Sequence, residues 1–73
     1  MSAFEIFVDD DRYSVPTLLL IASDDEAQAR REAVALLLAS RHHLGVEVCR
    51  GDDRLLALGS FARGARRIRQ LRP

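Results

Sequence analysis

The first two elements that the hydrophobic pattern predicts are strands. Apolar residues alternate with other residues over 3–9, which is the two-residue period of a half-buried strand. One face of this strand carries Phe4, Ile6 and Val8. Residues 17–22, which are almost all apolar, are predicted to form a second strand. It follows Pro16, which cannot donate a ladder hydrogen bond and therefore belongs at a strand start or on a sheet edge.

A helix is predicted to begin at the acidic stretch that follows. Ser23 with Glu26 three residues later is the pattern of a capping box, in which each side chain satisfies a backbone N–H of the first turn. Asp24 and Asp25 would then lie in that first turn, where negative charge meets the positive end of the helix dipole.

The body of this helix is predicted to extend through Ala39 and to bury one face. Good helix formers fill the segment, and its apolar positions recur at helical spacing. These positions are Ala29, Ala33, Leu36 and Leu37. Arg30 is expected on the solvent side, paired with Glu26 four residues earlier. Gly45 is expected to follow the helix end.

Two more strands are predicted after the helix, at residues 45–50 and 54–58. The Gly-Asp-Asp sequence at 51–53 is typical of a hairpin turn. Two hairpins joined by a helical crossover predict an α+β fold, β-β-α-β-β, with a four-stranded antiparallel sheet in the order 2-1-3-4. Residues 1–59 would form this single domain.

Residues 60–73 are predicted to form an Arg-rich C-terminal helix or tail. Ser60 can cap a helix, and apolar residues recur after it at helical spacing. From residue 63 onward the segment has five arginines and no acid, so it carries +5 against −5 in the remainder of a neutral chain. These arginines are Arg63, Arg66, Arg67, Arg69 and Arg72.

The order of these features resembles a group of short, uncharacterised bacterial proteins. The similarity covers roughly residues 4–58, from the aromatic-rich first strand, through the acidic entry into the Ala-rich helix at 24–27, to a closing hairpin at 46–55. Cys49 stands where that group often has an aromatic residue, and the Arg-rich tail is not a usual part of it. The resemblance implies the β-β-α-β-β fold, and it implies no activity or site residues.

The adjacent His42 and His43 are candidate metal ligands. With Cys49 and Asp52 or Asp53 they supply the ligand types of a zinc site. Their spacing matches no zinc motif, and neighbouring residues on a helix point about 100° apart. We therefore expect the imidazoles to interact with the C-terminal end of the helix, and we expect no metal and no cofactor.

Cys49 and the acidic run Asp9-Asp10-Asp11 are the other candidates for chemistry. A catalytic thiol needs a cationic neighbour or a helix N-terminus, whereas Cys49 lies within a predicted strand, where we expect it to be half-buried. The acidic run lacks the glycine and closing glutamate of a calcium loop and is expected to be a solvated turn. A non-enzymatic protein is therefore predicted. A thiol enzyme or hydrolase that uses Cys49 with His42 or His43 is the less favoured alternative.

Apolar residues are predicted on both faces of the sheet, although one helix can cover only one face. The opposed sets are Phe7 against Phe4, Ile6 and Val8; Leu18 and Leu20 against Leu19 and Ile21; and Leu55 against Leu56 and Leu58. Burial of apolar surface stabilises a fold by roughly 25 cal/mol per Å2. Side chains of this size that stay exposed to solvent would therefore lose several kcal/mol of stabilisation. We expect the C-terminal segment, a second copy of the chain, or both to cover the second face. The residues expected at that interface are Leu19, Ile21, Phe61 and Ile68.

These patterns favour a small non-enzymatic protein-interaction or assembly module that acts as a homodimer or with a protein partner. The alternative is a nucleic-acid-binding protein whose C-terminal arginines contact phosphates. That segment could instead dock on the acidic remainder of the chain or on an anionic membrane surface. The single cysteine allows no internal disulfide, and no apolar stretch approaches the roughly 18 residues of a membrane span, so a cytoplasmic protein is expected.

Overall fold

The computed structural model describes residues 3–63, which form four strands and one helix in the predicted sequence order. The elements are β1 (Ala3–Asp10), β2 (Thr17–Ala22), α1 (Glu26–Ala39), β3 (His43–Arg50) and β4 (Asp53–Gly59). Neighbouring strands are antiparallel, and their order in the sheet is β2-β1-β3-β4. The α+β fold and the strand order are therefore confirmed. Residues 64–73, which include most of the predicted C-terminal helix, lie outside the described residues.

Helix α1 begins later than the capping-box pattern predicts. Asp25 is the N-cap, with an extended backbone and a side chain that accepts a hydrogen bond from Ala27 N–H at 2.9 Å. The Ser23 hydroxyl instead accepts from Asp25 N–H and donates to the Gln28 side chain. The predicted reciprocal pair is therefore wrong, and the two aspartates precede the first turn, in which Glu26 is the acidic residue. An aspartate is as good an N-cap as a serine, and its charge also favours that end of the helix.

The helix also ends before the histidine pair. Ser40 is the C-cap, and His43 is already the first residue of β3, so Gly45 lies inside a strand and does not terminate the helix. A Cβ on Gly45 would lie 2.7 Å from the backbone nitrogen of Ser60. The glycine is therefore required by the close approach of the chain after β4.

The main core lies between the sheet and α1. Its buried residues come from β1, β3 and the helix: Phe4, Ile6, Val8, Ala29, Ala33, Val46 and Val48. Leu36 and Leu37 pack against this core, so the predicted buried face of the helix is confirmed. The helix packs mainly on β3 and less on β1, which leaves the β2 side of the sheet less covered.

Leu55 lies on the same side of the sheet as Leu56, contrary to the prediction. Val48 is paired with Leu56, whereas the next residue, Cys49, is paired with Arg54. Leu55 is therefore the extra residue of a β-bulge, which turns two successive side chains toward one face. Both leucines pack against the main core.

Arg30 is half-buried rather than fully solvated, because it links the helix to β4. Its guanidinium forms the predicted ion pair with Glu26, at 2.9 Å. The same side chain donates to the backbone carbonyl of Leu55 at 2.8 Å. The predicted pair with Glu26 is therefore present, and the Arg30 side chain, which is 43% exposed, also reaches the bulged strand.

A second, smaller apolar cluster lies on the face of the sheet away from α1, which we call the reverse face. It contains Phe7, Cys49 and Phe61, with Ala57 packed against them. Phe61 is only 1% exposed and follows β4 in a turn. That turn is held by a hydrogen bond from the Ser60 hydroxyl to Asp9 at 2.6 Å and by the Ser60 N–H to the Leu44 carbonyl. The start of the C-terminal segment therefore covers part of the reverse face.

Candidate interaction surface and neighbouring groove

Strand β2 forms one edge of the sheet. It pairs with β1, and no other described strand pairs with its outer side. We call this strand, Thr17–Ala22, the β2 edge. Leu18 lies opposite the reverse-face residue Phe7, so Leu18 and Leu20 occupy that face, with 48% and 67% of their surface exposed. Leu19 lies on the helix side and is 38% exposed. The β2 edge therefore exposes leucines on both faces.

The opposite edge of the sheet, β4, is built differently. It begins with Asp53 and Arg54 and contains the bulge at Leu55. Charges and bulges of this kind disfavour the pairing of an edge strand with another chain. The β2 edge has no charge, no bulge in its pairing with β1 and no internal proline; only Pro16 precedes it. Of the two sheet edges in the described part of the chain, only β2 has neither a charged residue nor a bulge.

A groove of about 500 Å3 lies beside the β2 edge, on the helix side of the sheet. It is present because α1 lies over β3 and β1 and does not extend across β2. Its apolar walls come from Val8, Val15, Pro16, Leu19 and Leu36, and its polar end contains Asp10, Arg12 and His43. The groove continues the apolar surface of the β2 edge toward the helix.

Asp10 organises the polar end of this groove. Its side chain is 4% exposed and accepts three hydrogen bonds from Arg12: from the backbone N–H at 3.0 Å, from Nε at 3.0 Å and from Nη2 at 2.7 Å. The side-chain bonds from Arg12 are the main reason that the pKa of the Asp10 carboxyl lies well below its ordinary value. The same bonds raise the pKa of Arg12. Asp10 is therefore an ionised carboxylate that fixes the turn after β1, and it is not available as a proton donor.

The other two aspartates of the acidic run also have protein partners. Asp9 accepts from Ser60, as described above, and Asp11 lies 2.8 Å from His42 Nδ1 and donates its backbone N–H to the His42 carbonyl. The expectation of a solvated turn is therefore wrong for Asp10, which belongs to β1 and is buried. It holds only for Asp11, which is exposed.

The two histidines have separate roles. His43 Nδ1 bonds the backbone carbonyl of Leu36, and because a carbonyl can only accept, Nδ1 carries a proton. This contact is with the C-terminal end of the helix, as expected, whereas His42 pairs with Asp11. His43 Nε2 faces Asp10 Oδ2 at 3.6 Å. Within residues 3–63 no three side chains of metal-ligating type form a group that could hold an ion.

Cys49 is fully buried rather than half-buried. It packs with Phe7 and Phe61 in the second apolar cluster. A thiol without access to solvent is poorly reactive, although Glu5 and Arg54 lie opposite Cys49 on the neighbouring strands. Its position in β3 thus has a packing role.

The reverse face also contains two glutamates that the hydrophobic pattern did not single out. Glu47 is fully buried, between Val46 and Val48 in sequence, and its carboxylate pairs with the Arg54 guanidinium. Glu5 Oε1 is buried and has no hydrogen-bond partner among residues 3–63. The alternation of β3 contained a signal for Glu47, since the two valines point toward the helix and the glutamate must point away.

The residues predicted at an interface lie in different environments. Ile21 packs against the main core, Leu19 lines the groove and Phe61 is buried on the reverse face. Arg63 is exposed in the turn after Phe61. The remaining predicted contact residues, Ile68, Arg66, Arg67, Arg69 and Arg72, lie outside the described residues.

Leu19 and Ile21 of β2 are predicted on the face that the helix leaves uncovered, whereas both lie on the helix side, opposite Ile6 and Phe4. This strand is apolar on both sides, so its pattern is the same whichever face the helix covers. The structure places Leu18 and Leu20 on the reverse face, beyond the reach of the helix, and Leu19 and Ile21 on the helix side.

Comparison with known proteins adds no relative: no family model, curated protein or solved structure matches the chain. The resemblance to the bacterial β-β-α-β-β group stays a prediction. In the part of the chain that the structure describes, α1 is too short and too polar to cross a membrane, and no other helix is present.

Proposed function

We propose that the protein is a small non-enzymatic protein-interaction or assembly module and that the β2 edge is its binding surface. The observation that carries this proposal is an uncharged edge strand with leucines exposed on both faces, in a sheet whose other edge is protected. An unpaired edge offers backbone N–H and C=O groups to an incoming strand, and the side chains on either face add apolar contact. Cys49, the single cysteine, cannot form an internal disulfide, which is compatible with a reducing, cytoplasmic setting.

The state of the reactive groups supports a non-enzymatic role. Asp10 is bound by Arg12, His43 is held by the Leu36 carbonyl, and the Cys49 thiol is buried. General acid–base or nucleophilic catalysis needs such groups to meet a substrate directly. Each of these groups instead holds part of the fold together.

The proposal is tested by placing a charge on the β2 edge. Leu20→Lys introduces a charge at the most exposed leucine of the edge, and Leu38→Lys is a matched control because Leu38 is 78% exposed on α1. Sedimentation velocity from micromolar to millimolar concentration should show self-association of the wild type and of Leu38→Lys, and its loss in Leu20→Lys. Self-association of the wild type that persists equally in both variants would place the interface away from β2 and contradict the proposal.

Nucleic-acid binding through the C-terminal arginines is the second candidate. Arg63, the one member of that set within the described residues, is exposed where the chain leaves the sheet. Binding through several arginines should weaken steeply between about 50 and 200 mM salt, because each phosphate contact releases counterions. A fluorescence titration with labelled DNA and RNA tests this. Absence of binding at low salt would exclude the candidate.

A further inference from the structure

We infer that the partner of the β2 edge is a second copy of this chain, added antiparallel across a two-fold axis that passes through Leu19. The inference rests on the proposed function and names its partner and register. It starts from the self-complementarity of the edge. A strand with apolar side chains matches the exposed leucines of Thr17–Ala22 best, and β2 of another copy is such a strand. Identical patches related by a two-fold axis form the isologous interface of most homodimers.

The register follows from the faces of the strand. Opposite residues of an antiparallel pair share one face of the sheet, so a shift by one residue would set reverse-face leucines against helix-side ones. A pairing centred on Leu19 places Leu18 opposite Leu20 of the second copy, and Leu20 opposite its Leu18. Every exposed reverse-face leucine then meets another. A shift by two residues, centred on Leu20, would pair Leu18 with Ala22 and lose these contacts.

The pairing also explains why the assembly would stop at two chains. A two-fold axis perpendicular to the sheet leaves both helices on one side and forms a continuous eight-stranded sheet from the described strands. Its two outer edges would both be β4, which the charges at Asp53 and Arg54 and the bulge protect. Leu19 of each copy would adjoin Leu19 of the other at the mouth of the groove, where Leu19 is now 38% exposed.

Thiol cross-linking tests the register. Under mild oxidation Leu19→Cys should form a covalent dimer, because the two substituted residues face each other across the axis. Wild type, whose one thiol is buried, and Leu38→Cys, on the exposed face of α1, are the controls and should stay monomeric on denaturing gels. An equimolar mixture of Leu18→Cys and Leu20→Cys chains should cross-link more than either chain alone. A thermal melting curve of each variant shows whether it folds. If Leu19→Cys does not fold, the mixture of Leu18→Cys and Leu20→Cys still tests the register.

The outcomes separate the inference from the proposed function. If Leu20→Lys abolishes association but no cysteine in β2 cross-links, the edge is used in some other way and only the inference fails. Strongest cross-linking of Leu20→Cys alone would overturn the Leu19 register. A wild type that stays monomeric up to millimolar concentration would overturn the second copy as partner. Association that is equal in Leu20→Lys and Leu38→Lys contradicts both.

Discussion

Phe7 and Leu18 lie directly opposite each other on β1 and β2, yet Phe7 is 8% exposed and Leu18 is 48% exposed. This difference in exposure shows that the residues packed on the reverse face bury β1 but leave β2 largely exposed. Phe61 packs beside Phe7 in the second cluster, and among the described residues that cluster includes none from β2. One strand further out, the same face of the sheet is open to solvent, and this is where we place the interface.

The first prediction concerns the contribution of Phe61 to the fold. Phe61→Ala should lower the free energy of unfolding by about 3 kcal/mol, because it removes a buried aromatic ring from the second cluster. Urea denaturation measures the change. Leu38→Ala, which truncates an exposed side chain, should change it by less than about 0.5 kcal/mol. Equal effects of the two substitutions would show that Phe61 does not pack as described.

The second prediction concerns the close approach at Gly45. Gly45→Ala should destabilise the protein by roughly 1–3 kcal/mol, because the added methyl group would overlap the backbone at Ser60. Gly51→Ala is the control: its φ of 60° is unfavourable for alanine, but no atom lies near the new methyl group. It should cost about 1 kcal/mol, the penalty for a residue with a Cβ in the left-handed conformation. A smaller loss for Gly45→Ala than for Gly51→Ala would be inconsistent with the packing after β4.

The third prediction concerns the pH dependence of the Asp10–Arg12 pair. The pKa of Asp10 is lowered in the folded protein, so its stabilising contribution is complete above the ordinary value of 3.8 and is lost as pH falls below it. Asp10→Asn should therefore melt at a lower temperature than the wild type at pH 7. The difference between the melting temperatures of the wild type and Asp10→Asn should become smaller as the pH falls below about 4.

Calorimetric melting temperatures between pH 2 and pH 7, roughly the range over which carboxylates titrate, measure this gap. Asp52→Asn, in the exposed turn between β3 and β4, controls for the loss of one negative charge. A gap between wild type and Asp10→Asn that stays constant over the whole range would contradict the assignment of the pair.

The fourth prediction concerns the Cys49 thiol. Iodoacetamide at neutral pH should modify native Cys49 far more slowly than a free thiol, because the side chain is fully buried. Modification should become fast in denaturant. Mass spectrometry over time measures both rates. Rapid modification of the folded protein would instead support the thiol-enzyme alternative.

Sequence patterns predicted the elements of the fold better than their boundaries or faces. The period of two in β1 and the helical spacing in α1 were sufficient for the element order. The capping pattern misplaced the helix start because Ser23 and Asp25 are both good N-caps, and only the geometry of the turn selects the second. Alternation failed at Leu55 because a bulge adds a residue to the strand.

The surface and the groove were less accessible to sequence reasoning. Asp10 and Arg12 are two residues apart, a spacing that indicates a turn contact only once the end of β1 is known. Leu19 and Ile21 were expected on the open face of β2 but lie on the helix side, since Leu18 and Leu19 are chemically alike and only the helix position distinguishes their environments. Which face of β2 is buried depends on where α1 packs on the sheet, and that packing is set by tertiary contacts rather than by the local sequence.

The most direct test of pairing at the β2 edge is amide hydrogen exchange of Thr17–Ala22 at micromolar and at millimolar protein concentration. In an edge strand alternate N–H groups point outward, and a second β2 strand would hydrogen-bond them. We predict that these outward amides exchange much more slowly at millimolar concentration in the wild type and at an unchanged rate in Leu20→Lys. Exchange of the wild-type β2 amides that does not depend on concentration would contradict pairing at this edge.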